Sequence, residues 1–237
     1  MRNYFYYDIL DNTMREYNFL KELCEEPLCV RAGAQNEGLG RANHIWLSPS
    51  GGLWFTFDYE NNRSLPSFAL YLGFCIHQCL QSLFEPLQGK LQIKWTNDII
   101  FSNRKLGGIL CNYLPAKRTY IAGIGLNTNN EIDAELGKFG AISLKDILGF
   151  EVSNDELCRL IIKSVEDNCR FMENKKTYID YCNAHLFGKG RFALLEMGGI
   201  NIEAEIIEID SNGALSIRNE KGELISMHTG SILQFLD

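Results

Sequence analysis

The sequence predicts a mixed α/β chain, α+β in detail, that ends in a small all-β module. Three observations predict it. Apolar runs with strand spacing alternate with stretches of helical spacing as far as residue 187. Within that region Ile99–Phe101 and Leu106–Leu114 are two apolar runs joined by the polar turn Ser102-Asn-Arg-Lys105, the pattern of a buried hairpin. At Phe187-Gly-Lys-Gly190 the composition changes, and short strands follow, with Asn212-Gly213 and Lys221-Gly222 suited to tight β-turns. Two domains are expected, 1–187 and 188–237, the second too small to be very stable alone.

The elements follow in order. Tyr4 to Leu10 is an aromatic-rich strand, and Thr13 with Glu16 fits a capping box that starts a helix running to about Glu25. Leu28 to Ala34 is the next strand. A glycine-containing loop follows, and then the alternating strand Leu53–Tyr59 with a turn at Asn61-Asn-Arg-Ser64. Pro66 precedes a helix to about Phe84, with Leu72, Ile76, Leu80 and Leu83 on one face. His77 on this helix is read as structural, because no acid or nucleophile is placed to pair with it. Thr119–Leu126 is a strand closed by Gly123-Ile-Gly-Leu-Asn127, which taken alone is a strand end turning on two glycines. Residues 129–150 are loop-like with a short helix at Ser143-Leu-Lys-Asp146. Ser153-x-x-Glu156 caps a helix to about Glu173, and another runs from Tyr178 to Ala184.

Composition narrows the function. The chain has 237 residues, 46% apolar and 22% charged, as an ordinary globular protein does. A net charge of −7 argues against a dedicated nucleic-acid binder, because phosphate contacts come from Lys and Arg. The eight cysteines form no Cys-x-x-Cys pair with a completing His, so no zinc site is expected, and Cys75 and Cys79 belong to an apolar helical stretch. No apolar signal region follows Met1 and no run of eighteen apolar residues occurs, so a cytoplasmic protein with reduced thiols and no membrane contact is expected.

Two stretches carry the chemistry. Around Lys94-Trp-Thr-Asn-Asp98, the oxygens of Asn97 and Asp98 suit Mg²⁺ carrying a nucleotide, and Lys105 lies beside Gly107 and Gly108, where backbone can approach a ligand. In the loop Ala34-Gln-Asn-Glu-Gly-Leu-Gly-Arg41, Gly38 and Gly40 free the backbone so that N–H groups can turn toward an anion. Arg41 adds a permanent charge with fork geometry. A lysine, a carboxylate and close-approach backbone together suggest chemistry on a phosphate.

These strings resemble the signatures of biotin protein ligases. Lys94-Trp-Thr-Asn-Asp98 with Lys105-Leu-Gly-Gly-Ile-Leu110 is similar to the family's Lys-Trp-Pro-Asn-Asp … Lys-Leu-x-Gly-Ile-Leu, with Thr96 in place of Pro. Gly38 to Gly51 resembles its Gly-Arg-Gly-Arg-x-x-x-x-Trp-x-Ser-Pro-x-Gly loop, with Leu39 for the first Arg and His44 for a later basic residue. Asp11-Asn-Thr-Met14 is similar to its Asp-Ser-Thr-Asn, and Gly123–Asn127 to its Gly-x-Gly-x-Asn.

The resemblance implies a mixed-sheet catalytic domain of the biotin/lipoate ligase type followed by a small SH3-like β-barrel domain. It implies ATP, biotin and Mg²⁺ as the small molecules and a two-step reaction through biotinyl-5′-AMP to a lysine of a biotin carboxyl carrier domain. By the same resemblance Lys105 and Arg41 are catalytic, and Thr13, Gln35, Gly38, Leu39, Gly40, Lys105 and Gly108 bind biotin. Arg41, Trp46, Asn97 and Asn127 bind nucleotide, and Asp98 with Asn97 takes the metal. A homodimer is possible. The DNA-binding helix-turn-helix of the family's bifunctional members would precede residue 1, so repression through it is not expected. Lipoate or octanoate ligases and transferases share the fold, and a non-catalytic biotin sensor is the other alternative. The Trp46-Ser48-Pro49 loop and the Lys105–Leu110 string favour biotin over lipoate, and retention of Lys105, Asp98 and Arg41 argues against a decayed sensor.

Overall fold

The computed structural model describes residues 2–138 and 140–236, with the backbone alone for Asn43. Seven strands form one sheet: β1 (Asn3–Leu10), β2 (Leu28–Gln35), β3 (Leu53–Glu60), β4 (Leu91–Lys94), β5 (Asp98–Phe101), β6 (Arg104–Leu114) and β7 (Thr119–Leu126). Their order is β1-β2-β3-β7-β6-β5-β4, with β1 parallel to β2 and every other neighbour antiparallel. The short β4 was not among the predicted strands. The Trp95–Thr96 peptide between β4 and β5 is cis.

The two faces of this sheet are covered differently. On one face lie α2 (Phe68–Leu83), α5 (Asn154–Asp167) and α7 (Lys175–Ala184), after the short helices α3 (Ala134–Lys138) and α4 (Leu144–Leu148). They share a large apolar core with β3, β6 and β7 that includes Phe55, Phe57, Leu72, Phe74, Ile109, Ile124 and Leu126. His77 is buried on α2 as a structural residue, its Nδ1 to Tyr181 Oη (2.8 Å) and its Nε2 to Leu91 O (2.9 Å). Burial pushes its pKa down to about 4. Cys75 and Cys79 lie in this core as expected.

On the other face sits α1 (Thr13–Leu23), which buries Tyr17 against Leu28, Val30 and Ile121. Its cap is Asn12 and not Thr13: Asn12 Oδ1 accepts from the N–H groups of Met14 (2.9 Å) and Arg15 (3.2 Å). Thr13 is already helical. The short helix expected at Ser143–Asp146 forms as α4, and a Ser143/Asp146 capping box starts it. The helix from Ser153 stops at Asp167, short of Glu173. There the Asn168 side chain donates to Ser164 O (2.8 Å), and a separate turn, α6 (Arg170–Glu173), follows.

Beyond residue 190 the strands β8 (Phe192–Met197), β9 (Ile200–Ile209), β10 (Leu215–Asn219), β11 (Leu224–Met227) and β12 (Ser231–Phe235) make a five-stranded antiparallel sheet, ordered β11-β10-β9-β8-β12. Side-chain hydrogen bonds tie it to the first sheet and to α7. Trp95 Nε1 donates to Gly213 O (2.9 Å), Lys94 Nζ to Ile232 O (3.0 Å) and Asn183 Nδ2 to Ile209 O (2.8 Å). Among the described residues, no helix is long and apolar enough to cross a membrane.

Candidate active site

The site lies on the α1 face of the large sheet, where α1 begins and the strands lose their side chains. Along β7 this face carries Ile121, Gly123 and Gly125, and on β6 Gly108 pairs with Gly125. Neither Gly123 nor Gly125 takes a positive φ. These glycines therefore sit inside a regular strand and leave bare backbone as a floor, so the sequence reading of a turn at this point does not hold. Close approach is their reason: a Cβ on Gly108 would lie 2.8 Å from Trp46 Cζ3, and one on Gly125 would lie 2.5 Å from Trp46 Nε1. The Trp46 ring lies on this floor, and Lys105 Nζ stands 4.8 Å from the ring centroid.

Above the floor is a cavity of about 620 Å³, lined by Thr13, Gln35, Leu39, Gly40, Arg41, Trp46, Asn97, Asp98, Lys105, Gly108 and Asn127 among others. All the predicted site residues except Gly38 line it. Gly38 is buried beneath the loop, against the Trp46 carbonyl and Ser48 Oγ, and a Cβ there would clash. The loop itself closes as a narrow hairpin. Leu39 bridges Ile45, Gly40 N–H donates to His44 O (2.7 Å), and Trp46 N–H donates to Gly38 O (2.8 Å). The Gly40 N–H is thus spent within the loop and is not turned toward the cavity, as the sequence had suggested.

Charge gathers at one end. Lys105, at the start of β6, makes an ion pair with Asp98 Oδ1 across the hairpin (2.9 Å), both groups partly exposed to the cavity. Arg41 Nη1 donates to Asn97 Oδ1 (3.2 Å) and Nη2 to Gly230 O (3.3 Å). Asn97 Nδ2 in turn donates to Ile109 O (2.8 Å), so both ends of its amide are engaged. Its predicted place as a metal ligand does not fit this arrangement. Its side chain instead links the β5 start, β6 and the loop. Lys94 lies opposite Asp98 on β4, and its pKa is lowered by burial, with Asp98 opposing the shift.

At the other end the groups are neutral. Thr13 N–H donates to Gln35 Oε1 (2.8 Å), Thr13 Oγ1 meets Thr56 Oγ1 (2.9 Å), and Gln35 Nε2 donates to Ser48 Oγ (2.8 Å). The Thr13 hydroxyl and the second Gln35 N–H keep capacity for a ligand. Asn127 is held by Asn130, whose Nδ2 donates to Asn127 Oδ1 (3.1 Å), while Asn127 Nδ2 faces Lys105 O (3.4 Å).

Five lining residues come from the small β module: Glu196, Gly198, Thr229, Gly230 and Ser231. Sequence reasoning missed them, because nothing local marks them. It also missed Asn12 as a lining residue. For Mg²⁺ the chain offers a limited donor set. Glu196 Oε1 accepts from Gly199 N–H (2.6 Å), and no group of three His, Cys, Asp or Glu side chains converges among the described residues. Asp98 alone remains. It fits a magnesium ion held by one carboxylate and otherwise by nucleotide phosphates.

A glycine-floored cavity with cations at one end and neutral hydrogen-bonding groups at the other, set on a mixed sheet beside a small β module, defines a two-part ligand-binding domain. Residues 6–129 match the biotin/lipoate A/B protein ligase family, and the chain belongs to that family. It is 26% identical to the biotin protein ligase of Aquifex aeolicus solved in complex with biotin and ATP, with a TM-score of 0.83 over 98% of this chain and 99% of that one. It is 30% identical over 122 residues to biotin–protein ligase 2 of Arabidopsis thaliana, which is 48% of this chain and 36% of that protein. With the bifunctional ligase/repressor of Bacillus subtilis it shares 26% over 230 residues, 92% of this chain and 70% of that one. The alignment thus spans about a third of the Arabidopsis and human biotin–protein ligases.

Proposed function

We propose that the chain activates biotin with ATP to biotinyl-5′-AMP and then transfers the biotinyl group to a lysine of a biotin carboxyl carrier domain. One observation carries this reading: the Lys105 ammonium and the Arg41 guanidinium border the same cavity as the neutral Thr13–Gln35 pair, with the Trp46 ring on its glycine floor between them. In the first step a biotin carboxylate oxygen attacks the α-phosphorus, and the bond to the departing pyrophosphate breaks. Two anions must meet, so the residues needed are cations placed where charge develops.

Lys105 bridges the carboxylate and the α-phosphate in this reading, exchanging its bond to Asp98 for them. Arg41 holds the phosphate of the adenylate, and Asn127 and Trp46 border the nucleotide and the ring system. Thr13 and Gln35 take the ureido group, and the backbone at Gly108 lies against the ligand. A magnesium ion, held by Asp98 with the nucleotide, would neutralise phosphate charge. In the second step the acceptor amine attacks the acyl carbon, AMP leaves, and the amine sheds a proton.

The test is pyrophosphate release with biotin, lipoate and octanoate supplied separately. Release with biotin alone supports the reading. Release with lipoate or octanoate in its place would move the chain to the other branch of the family, and no release with any acid would leave a binding protein.

A further inference from the structure

The transfer step needs a proton acceptor as well as cations. The amine attacks with its lone pair, and the nitrogen must lose one hydrogen as it becomes an amide. Lys105 and Arg41 border the cavity, but an ammonium and a guanidinium are donors only and cannot take that proton.

Three other titratable side chains on the cavity wall are chemically able to take it: Asp98, Glu196 and His44. Asp98 is engaged with Lys105 (2.9 Å) and, in the reading above, serves the magnesium ion. Glu196 Oε1 accepts from Gly199 N–H (2.6 Å) and so braces the turn between β8 and β9. The His44 imidazole is exposed and makes no hydrogen bond, ion pair or ring contact among the described residues. Among those residues it is also the one histidine that lines the cavity. A neutral imidazole keeps one ring nitrogen free to accept a proton near neutral pH, which makes it the commonest general base.

The backbone fixes where this imidazole stands. His44 N–H donates to Arg41 O (3.0 Å), closing one tight turn, and His44 O accepts from Gly40 N–H (2.7 Å). Both backbone groups of His44 are therefore tied to the arm of the hairpin that carries Arg41. The cation assigned to the adenylate phosphate and the free imidazole move as one unit, and the exposed side chain faces the direction from which a protein acceptor arrives.

We propose that His44 is the general base of the transfer step, an inference that rests on the ligase reading above. The amine nitrogen forms its bond to the acyl carbon, the bond from that carbon to the phosphate oxygen breaks, and AMP leaves with the electron pair. The proton passes from the nitrogen to the free ring nitrogen of His44 and from there to water. Adenylate formation moves no proton, because a carboxylate attacks phosphorus, so the two steps depend on His44 differently.

The test loads the chain with synthetic biotinyl-5′-AMP, adds a purified biotin carboxyl carrier domain, and follows a single turnover of transfer. Biotin-dependent pyrophosphate release without acceptor is measured beside it. His44→Gln should slow transfer by about tenfold or more while pyrophosphate release falls by less than about threefold. His44→Ala should show the same split, and added imidazole should speed its transfer by about fivefold or more, a response that a merely structural role would not give. Wild type that transfers no biotin would remove the ligase reading, and this inference with it. Wild-type transfer matched by His44→Gln, an equal loss in both steps, or a His44→Ala chain indifferent to imidazole would each overturn the role of His44 and leave the ligase reading standing.

Discussion

Adding one methyl group to the cavity floor tests why the glycines are there. In Gly125→Ala the new Cβ would lie 2.5 Å from Trp46 Nε1 and 2.7 Å from Cε2. Ordinary contact needs about 3.5 Å, so the indole must rise by about 1 Å. Trp46 sits on a loop that can give, so the fold should lose no more than about 1 kcal/mol, the low end of overpacking costs. Catalysis has less room: a misplacement of about 1 Å near reacting groups can cost up to about a hundredfold. We expect kcat/KM for biotin in adenylate formation to fall about ten- to a hundredfold, while the urea midpoint moves little. Gly108→Ala should act in the same direction. Gly137→Ala is the control, because a Cβ there meets nothing within 4 Å, and its activity should be unchanged. Full catalytic efficiency in Gly125→Ala would refute the idea that bare backbone under Trp46 matters.

Arg41→Gly should leave stability nearly intact but release biotinyl-AMP about ten- to a thousandfold faster, about 1.5–4 kcal/mol of lost charge-assisted contact. Free adenylate in the medium and labelled bystander lysines are the readouts, and unchanged retention would remove Arg41 from this role. The loop from 36 to 45 has one tryptic bond, after Arg41. Just past this loop, Trp46 Nε1 is buried without a hydrogen-bond partner among the described residues, a cost of about 1–3 kcal/mol in this arrangement. Trypsin should cut there quickly in the unliganded chain and slowly with biotin, ATP and Mg²⁺, with little protection by ATP alone.

His77 ties stability to pH. Its folded pKa of about 4 lies below the unfolded value of about 6.5, so the unfolded chain binds the extra proton between those values. Its contribution is complete above about pH 6.5 and is lost as pH falls toward 4, by up to about 3 kcal/mol. Urea midpoints at pH 7.5 and 5 should show this slope, and His77→Gln should flatten it.

The fold was legible where periodicity is local. Leu72, Ile76, Leu80 and Leu83 mark α2 without help, and Ser143 with Asp146 marks the start of α4. The α1 cap was misplaced by one residue because Asn12 and Thr13 are both good caps, and only the backbone decides: Asn12 is extended and Thr13 is helical. Strand β4, four residues of Leu-Gln-Ile-Lys, is too short to show alternation. In the site, the side chains of one strand or hairpin were legible, above all Lys105 with Asp98. The role of Gly123 and Gly125 was not, because a floor exists only when Gly108 of the neighbouring strand is aligned with Gly125. Gly230 and its neighbours could not be read at all. They reach the cavity only because β12 folds back beside β8, and the sequence carries no local mark of that contact.

The most direct test of the account measures biotin-dependent pyrophosphate release in wild type and in Lys105→Gln, alongside the biotin dissociation constant of each. Lys105 is the cation paired with Asp98 at the floor of the cavity, and removing its charge should slow adenylate formation by about a hundredfold or more. Biotin affinity should change far less, because the neutral groups at Thr13 and Gln35 are untouched. A Lys105→Gln chain that forms adenylate at nearly the wild-type rate would contradict the placement of Lys105 at the centre of the chemistry.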